Sequence, residues 1–311
     1  MASTIQRRRN RAALLLLTPA LLGMMVFFVF PLVMTVFYSF TAFDLSNPPR
    51  WNDFANWKFL VSGDPLIGTA TRNTLWFVAI LVPARIVGAL FVGWVLTRAR
   101  RSSGALRTLY YLPALIPPVA ATIAFVFVFN PATGPVNQML GWFGIDGPGW
   151  FTDPAWAKPS LVLLGLWVLG DIMVIFLASL LDVPTEQYEA AELDGASTRQ
   201  QFRFVTVPNM APVLLFALIT GIIGALQYFT EPAVASSTAM GKSMVGQGAS
   251  STLGWPDQST LTYGQLLYSK AFGANLMGYA SAMAVVLFVV AALVMAVLLR
   301  RFRSFTPDVA S

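Results

Sequence analysis

Long apolar stretches recur along the chain, and charged or Pro/Gly-rich segments separate them. A membrane-spanning helix needs about 20 mostly apolar residues, because each residue rises about 1.5 Å through a hydrocarbon core about 30 Å thick. Six stretches reach this length, so the pattern predicts an all-α, polytopic membrane protein with six transmembrane helices. The predicted spans cover residues 12–40, 74–96, 106–129, 161–181, 213–229 and 278–299.

The positions of the basic residues orient these spans. Thirteen of the 20 Lys and Arg residues precede the first span, follow the sixth, or lie between the second and third or the fourth and fifth. Loops with an excess of Lys and Arg stay in the cytoplasm, so both termini are predicted to be cytoplasmic. The net charge of +6 therefore reflects helix ends, and no continuous basic face indicates nucleic-acid binding.

The composition narrows the classes of function further. The chain is 56% hydrophobic and only 11% charged, and it has neither Cys nor His. Thiol nucleophiles, His-based acid–base catalysis and zinc sites with Cys or His ligands are therefore excluded. A phosphate-binding loop needs G-x-x-x-x-G-K-[ST], but Ser236 stands at the first glycine position before the Gly-Lys-Ser at 241–243. We expect a chain that is not an enzyme and holds no cofactor of its own.

The longest predicted cytoplasmic loop covers residues 182–208, and its residue types predict two short helices around a turn. Thr185 is the predicted N-terminal cap of the first helix, and Gly195 is its predicted C-terminal cap. Ser197 is the predicted cap of the second helix, which Pro208 ends before the fifth span. Residue types alone leave a solvated connector open as the other interpretation.

The spacing within this loop favours a specific family. The sequence Glu189-Ala190-Ala191, three residues, Gly195, nine residues, Val205-Thr206-Val207-Pro208 resembles the EAA signature of ABC importer permeases. Val205 and Val207 depart conservatively from Ile and Leu. Asp194, Ala196 and Phe202 add a similarity to the carbohydrate, maltose-type branch of that family.

Other motifs extend the resemblance to about residues 10–303. They open the second, third and sixth spans, at residues 73–75, 107–113 and 268–282. The Ser/Gly-rich region 235–262 departs from the family pattern, and we expect it to be a flexible extracellular insertion. The expected organisation is one transmembrane permease domain over residues 1–311, with a permease core at about 74–299.

The resemblance implies a type I ABC importer permease fold in a bacterial cytoplasmic (inner) membrane. It also implies a second homologous permease, two ATPase subunits that bind ATP and Mg, and an extracellular solute-binding protein. The loop would be the coupling helix that docks on the ATPase. The residues implied in coupling are Glu189, Ala190, Ala191, Asp194, Gly195, Ala196, Phe202 and Pro208.

The implied solute is a sugar or a sugar-like molecule such as an oligosaccharide, an amino sugar or a glycerophosphodiester. Two alternatives remain open at this point. An ion-gradient-driven secondary transporter would take up solute without an ATPase, and a non-transporting assembly subunit would tolerate changes in the coupling loop.

Polar residues inside the spans are the candidates for the solute path, because charge in a bilayer core is costly and usually faces protein or water. Arg85 and Asp171 lie near mid-depth of the second and fourth spans and can form an ion pair, either structural or part of the path. Gln227, Tyr228 and Glu231 at the end of the fifth span suit sugar binding, but also a membrane-interface belt. Trp167, one helical turn before Asp171, is a further candidate.

Overall fold

The computed structural model describes residues 2–98, 103–242 and 249–302. Arg100, Arg101 and Arg303 of the orientation argument, and residues 243–248 of the predicted insertion, lie outside these ranges. The chain divides into two compact units. Unit 1 contains residues 1–64 and 270–288, and unit 2 contains residues 65–269 and 289–311.

The number of apolar helices agrees with the six predicted spans. Three helices are long and apolar enough to cross a membrane, namely Ala13–Tyr38, Ile67–Arg98 and Met277–Arg301. Three bent helix pairs reach the same length when each pair is counted once, which gives up to six spans among the described residues. These pairs are Gly104–Leu115 with Pro118–Val128, Pro154–Trp167 with Gly170–Leu181, and Thr198–Asn209 with Ala211–Leu226.

Unit 1 begins with the first span. Its elements are α1 (Ala2–Met24), a π-helical turn (Met25–Val29), α2 (Phe30–Tyr38), β1 (Thr41–Ala42), β2 (Arg50–Trp51), α3 (Ala55–Lys58), a π-helical turn (Phe59–Gly63) and the first part of α16 (Met277–Phe302). No residue in the most apolar window of the first span is buried in the protein. This span therefore has the apolar, all-round exposed surface of a lipid-facing helix.

A small aromatic core follows the first span in unit 1. The strands β1 and β2 pair antiparallel, with Thr41 opposite Trp51. The ring of Phe40 packs against Trp51, Phe54 and Trp57 at centroid distances of 5.4 to 5.8 Å. Asp44 closes the hairpin loop, and hydrogen bonds from the Asn47 side chain and backbone hold the pKa of the Asp44 carboxyl below its usual range.

Unit 2 contains the remaining helices. They are α4 (Ile67–Arg98), α5 (Ser103–Tyr111), α6 (Pro118–Val128), α7 (Pro135–Trp142), α8 (Pro154–Trp167), α9 (Gly170–Leu181), α10 (Thr185–Leu193), α11 (Thr198–Gln201), α12 (Val207–Asn209), α13 (Ala211–Leu226), α14 (Thr230–Ala239) and α15 (Tyr263–Tyr268). The continuous helix α4 packs against α8, α9 and α13, and α6 packs against α14. Fully buried residues such as Phe77, Leu161, Met173 and Phe176 form its core.

Two of the predicted spans are interrupted. The third bends by 98° between Leu115 and Pro118, where Ile116 and Pro117 have extended backbones. A proline disfavours helical geometry in the residue before it, so two successive prolines open the helix at this point. The fourth bends by 47° at Val168 and Leu169.

The predicted flexible insertion is structured where the structure describes it. Its first residues belong to α14, in which residues 232–237 are all buried. The Ser236 hydroxyl donates to the Trp255 carbonyl oxygen at 2.9 Å, and Thr262 with Gln265 forms a capping box at the start of α15. The expectation of a flexible loop is therefore wrong for residues 235–239. The small Ser and Ala side chains that suggested a linker instead allow α14 to pack closely.

Candidate translocation path and coupling loop

The helix α4 brings the candidate path residues together, because small residues let its neighbours approach closely. A Cβ atom on Gly165 of α8 or on Gly221 of α13 would press against the side chains of Leu81 and Val82 on α4. Close approach of this kind is how small residues serve helix packing in membranes. It places Arg85, one turn further along α4, beside both neighbouring helices.

Arg85 and Asp171 form the predicted ion pair. The Arg85 Nη2 atom lies 3.0 Å from Asp171 Oδ1 and 3.3 Å from Asp171 Oδ2, so this nitrogen donates to both carboxylate oxygens. The Arg85 side chain is 26% exposed and the Asp171 side chain 55% exposed. The Arg85 Nε atom is buried and has no hydrogen-bond partner in the described chain. The pair is thus partly exposed, whereas the unpaired Arg85 Nε donor is buried.

The fifth span ends earlier than predicted, and this break creates the second half of the site. Helix α13 ends at Leu226, and α14 begins at Thr230 after the non-helical residues Gln227 to Phe229. No side chain caps the start of α14. Non-helical backbone at membrane depth is tolerated where it is buried in protein or lines a water-filled cavity. Gln227, Tyr228 and Glu231 therefore lie at the helix break that directly follows the fifth span.

Tyr228 is held from two sides. Its ring meets the ring of Phe77 edge-on at a centroid distance of 5.1 Å. Its carbonyl oxygen accepts a hydrogen bond of 2.6 Å from the Thr262 hydroxyl, which belongs to the segment before α15. The break is therefore anchored to α4 through the Tyr228 ring and to α15 through the Tyr228 backbone.

Two cavities of about 230 and 200 Å³ adjoin the same three residues, Arg85, Tyr228 and Glu231. Gln227 and Thr220 line the first cavity, and Asp171 and Thr122 line the second. Each is smaller than the range of about 300–1,000 Å³ common for ligand pockets. These three residues lie between two small polar cavities in a bundle that is otherwise apolar. We call Arg85, Tyr228 and Glu231 the partition.

Trp167 is the one predicted path residue outside both cavities. It ends α8, and its ring packs against Phe125 at a centroid distance of 5.6 Å. It lines a separate, mostly apolar cavity with Tyr110 and Pro113. Its spacing from Asp171 suggested a shared helix face, but the bend at Val168 separates the two residues into different helices.

Thr220, Thr122 and Thr230 line the cavities and were not among the sequence candidates. Thr220 lies seven residues before Gln227. Residues at this spacing share one face of a helix, so helical periodicity could have identified Thr220 as a candidate. The Thr122 hydroxyl donates to the Pro118 carbonyl oxygen at 2.7 Å within its own helix. A threonine whose hydroxyl bonds only to its own helix backbone has the same local sequence pattern, so the sequence could not identify Thr122 as a cavity residue.

The loop at residues 182–208, the candidate coupling loop, has the predicted helix–turn–helix form. Gly195 follows α10 with a φ of +77°, in the left-handed region that favours glycine. The Gly195 N–H donates to the Glu192 carbonyl oxygen and the Ala196 N–H to the Ala191 carbonyl oxygen, both at 2.9 Å. This pair of bonds is a Schellman motif, so the predicted cap at Gly195 is confirmed.

The other predicted caps are confirmed in part. Ser197 and Gln200 form a capping box at the start of α11, as the loop sequence predicts. Thr185 is wrong as a cap, because it is the first helical residue and Pro184 occupies the cap position. Pro208 lies in the last turn of the continuous helix Thr198–Asn209, which ends one residue later at the 69° bend around Met210, so this predicted helix end agrees with the structure to within one residue.

The outer face of the loop is exposed. Glu189, Ala190, Asp194 and Gly195 are exposed, whereas Ala191, Ala196 and Phe202 are half-buried. Leu193 is also exposed, with 90% of its surface accessible.

The loop's inner face is fixed by two side-chain hydrogen bonds. Tyr188 and Thr206 share one of 2.9 Å between their hydroxyls, and Asn209 donates one of 2.7 Å to Gln187. Because these bonds tie α10 to the residues just before the fifth span, the loop is a preformed surface joined to that span.

Comparison with known proteins gives a consistent result. The sequence profile for "Binding-protein-dependent transport system inner membrane component" matches residues 85–304. The chain is 34% identical over 296 residues to the probable ABC transporter permease protein YesP of Bacillus subtilis, covering 94% of this chain and 91% of that protein. It is 32% identical to the lactose transport system permease protein LacF of Rhizobium radiobacter, covering 87% of this chain and 86% of LacF.

The similarity extends to other solutes and to a solved structure. The sulfoquinovosyl glycerol transport system permease protein SmoG of Agrobacterium fabrum is 32% identical, over 94% of this chain and 90% of SmoG. A chain from the crystal structure of a bacterial ABC transporter for import of the acidic polysaccharide alginate matches with a TM-score of 0.76. That match covers 99% of this chain and 100% of the other at 22% identity, so it supports the fold alone.

Proposed function

Because the chain belongs to the family of inner membrane components of binding-protein-dependent transport systems, we propose that it carries a saccharide or glycoside through the partition. It is a membrane-spanning permease subunit of an ABC importer, and ATP hydrolysis takes place on a separate ATPase chain. The family membership favours this activity over the ion-gradient-driven transporter and over the non-transporting assembly subunit.

The observation that carries the proposed solute path is the helix break beside the ion pair. Sugars are bound through hydroxyl, amide and carboxylate hydrogen bonds, and Gln227, Glu231 and Arg85 offer such groups around the two cavities. The Arg85 Nε donor has no partner in the described chain. The single chain encloses two small chambers, so a path wide enough for a sugar requires the partition to move or a second permease to complete the wall.

The solute class is supported by the relatives, among which LacF is named for lactose and SmoG for sulfoquinovosyl glycerol. The proposed assembly contains a second homologous permease, two ATPase subunits and an extracellular solute-binding protein. Both termini face the cytoplasm in this assembly, on the side with the arginine excess.

A reconstituted transporter with its solute-binding protein tests the solute class. Lactose, arabino-oligosaccharides, sulfoquinovosyl glycerol and methionine are each supplied, and solute-stimulated ATP hydrolysis is measured. We expect stimulation by at least one saccharide or glycoside, and an exclusive response to methionine would contradict the proposal. Glu231→Gln should then lower transport of that solute about tenfold, as expected for loss of a charged hydrogen bond. Asp146→Asn, on an exposed loop, is the matched carboxylate control.

We also propose that the exposed face of the loop transmits the ATPase movement to the spans. The preformed Schellman turn at Gly195 supports this role, because it presents α10 at one fixed angle. Nothing in the described chain lies within 4 Å of a Cβ atom placed on Gly195, so a side chain there would point into open space.

Two substitutions at Gly195 separate docking from folding. Asn and Asp both tolerate the left-handed backbone, so both variants should insert and fold. Gly195→Asp adds a charge to the face proposed to dock, and we expect solute-stimulated ATP hydrolysis and uptake to fall at least tenfold. Gly195→Asn, which has nearly the same shape and no charge, should lose less. Equal, wild-type uptake in both variants would show that this face does not couple.

A further inference from the structure

A groove on unit 2 lies apart from the partition, between α4 and the second helix of the coupling loop. It has a volume of about 450 Å³, and its lining is almost entirely apolar. The lining residues are Val87, Leu90, Phe91, Trp94, Thr198, Arg199 and Phe202. Trp94 forms its floor toward the loop, where its ring meets the Phe202 ring edge-on at 6.2 Å.

The groove has one basic end. Arg199 is the only charged lining residue among residues 2–98, 103–242 and 249–302, and the Arg98 guanidinium lies 3.6 Å above the ring of Trp94. Neither Arg98 nor Arg199 forms an ion pair with a carboxylate in the part of the chain that the structure describes. The groove therefore presents unneutralised positive charge at one end and hydrocarbon along the rest.

The groove is short enough to fit within one leaflet of a membrane. Its α4 lining, from Val87 to Trp94, rises about 10 Å at about 1.5 Å per residue, and Arg98 lies one helical turn further along α4. Half of a hydrocarbon core is about 15 Å thick. Val87 and Phe91 are both exposed on this face of the span. The apolar part thus lies at acyl-chain depth, and Arg98 and Arg199 lie at the level of the headgroups on the arginine-rich side.

We propose that this groove is a binding site for an anionic phospholipid of the cytoplasmic leaflet. One acyl chain lies along Val87, Leu90 and Phe91, and the phosphate group is held between Arg98 and Arg199. Basic pockets at the cytoplasmic ends of membrane helices suit anionic headgroups, and each arginine near the membrane surface contributes to that attraction. The bound lipid would contact both α4 and the segment that follows Gly195, so it would brace the coupling loop against the second span.

Lipid retention by the purified transporter complex tests this site without reference to transport. The complex is titrated in detergent with dioleoylphosphatidylglycerol or dioleoylphosphatidylcholine, and bound lipid is counted by native mass spectrometry. We expect stronger retention of the phosphatidylglycerol. Arg199→Gln should weaken that retention about fivefold, which corresponds to the loss of about 1 kcal/mol.

Two further variants keep the test decisive. Arg203→Gln removes the same charge from the same loop, but Arg203 does not line the groove, so phosphatidylglycerol retention should stay unchanged. Val87→Trp leaves both arginines in place and fills the apolar end, and it should also lower retention. Equal effects of Arg199→Gln and Arg203→Gln, or equal retention of the two lipids, would overturn the proposal. Retention by the isolated chain but not by the complex would also overturn it, because a partner subunit would then cover the groove.

Discussion

Two ion pairs, each between an aspartate and a basic residue, lie in different environments in this protein. In unit 1, Lys270 Nζ lies 2.8 Å from Asp64 Oδ2, and these side chains are 18% and 0% exposed. In unit 2, Arg85 and Asp171 lie 3.0 Å apart, with side chains 26% and 55% exposed. The distances are nearly equal, so burial distinguishes the two pairs.

The unit 1 pair is surrounded by further contacts. The Tyr279 hydroxyl donates to Asp64 Oδ2 at 2.9 Å, and the Tyr279 ring meets Phe59 edge-on at 4.9 Å. These residues join the turn after α3 to the beginning of the sixth span. A buried charge whose partner is removed is strongly destabilising, so such a pair holds a single arrangement.

The unit 2 pair has the opposite character. Asp171 is more than half exposed and lines the second cavity, so water or solute in that cavity can replace its partner. A pair of this kind can open when the surrounding helices move or when a solute offers hydroxyl groups. An aspartate paired with a basic residue therefore holds one fixed arrangement in unit 1, whereas in unit 2 such a pair can open and close.

Lys270→Met should have the largest effect, because it leaves the Asp64 carboxylate buried without its cation. We expect a loss of about 3–5 kcal/mol in the free energy of unfolding, measured by denaturant titration in detergent. The double variant Asp64→Asn with Lys270→Met should recover much of this loss. Lys242→Met, at an exposed lysine, is the matched control. If single and double variants are equally unstable, the buried charge is not the cause.

Gly278→Ala should lower the stability of unit 1 less than Lys270→Met does. Gly278 donates its N–H to the Phe43 carbonyl oxygen at 3.0 Å, and a Cβ atom there would overlap the Thr41 carbonyl oxygen. Forced displacement of a packed backbone costs about 1–3 kcal/mol. Gly224→Ala, where nothing lies within 4 Å of the added Cβ, is the control. The two variants should differ in thermal stability, and equal melting temperatures would disprove close packing at Gly278.

The exposed pair should affect stability least and transport most. We expect Asp171→Asn and Arg85→Gln each to lower the free energy of unfolding by about 1 kcal/mol or less. Each should change uptake by the assembled transporter about tenfold, through the loss of a charged hydrogen bond in the cavities. The double variant measures the coupling between them. If the two effects on uptake simply add, the pair does not act as one unit in transport.

Local chemistry explains which parts of the site the sequence could predict. The caps at Gly195 and Ser197 depend on residues within one turn of each other, and both were predicted. Arg85 and Asp171 were recognised as a possible pair because charges in apolar spans are few and have few possible partners. Trp167 was predicted on the wrong face, since the local bend at Val168 separates it from Asp171. The Asp64–Lys270 pair was not predicted, because its residues are distant in sequence and lie beside ordinary solvated loops.

The sequence by itself determined the six apolar spans, the coupling loop and the family, because length, hydropathy and motif spacing are properties of contiguous residues. Only the tertiary structure decided where the spans break. The burial of α14 against α6 turns a Ser-rich stretch into packed helix, and Glu231 in its first turn lines a cavity. Tertiary contacts also decided which ion pair is buried. Burial depends on residues far apart in the chain, and burial determines what a charge does.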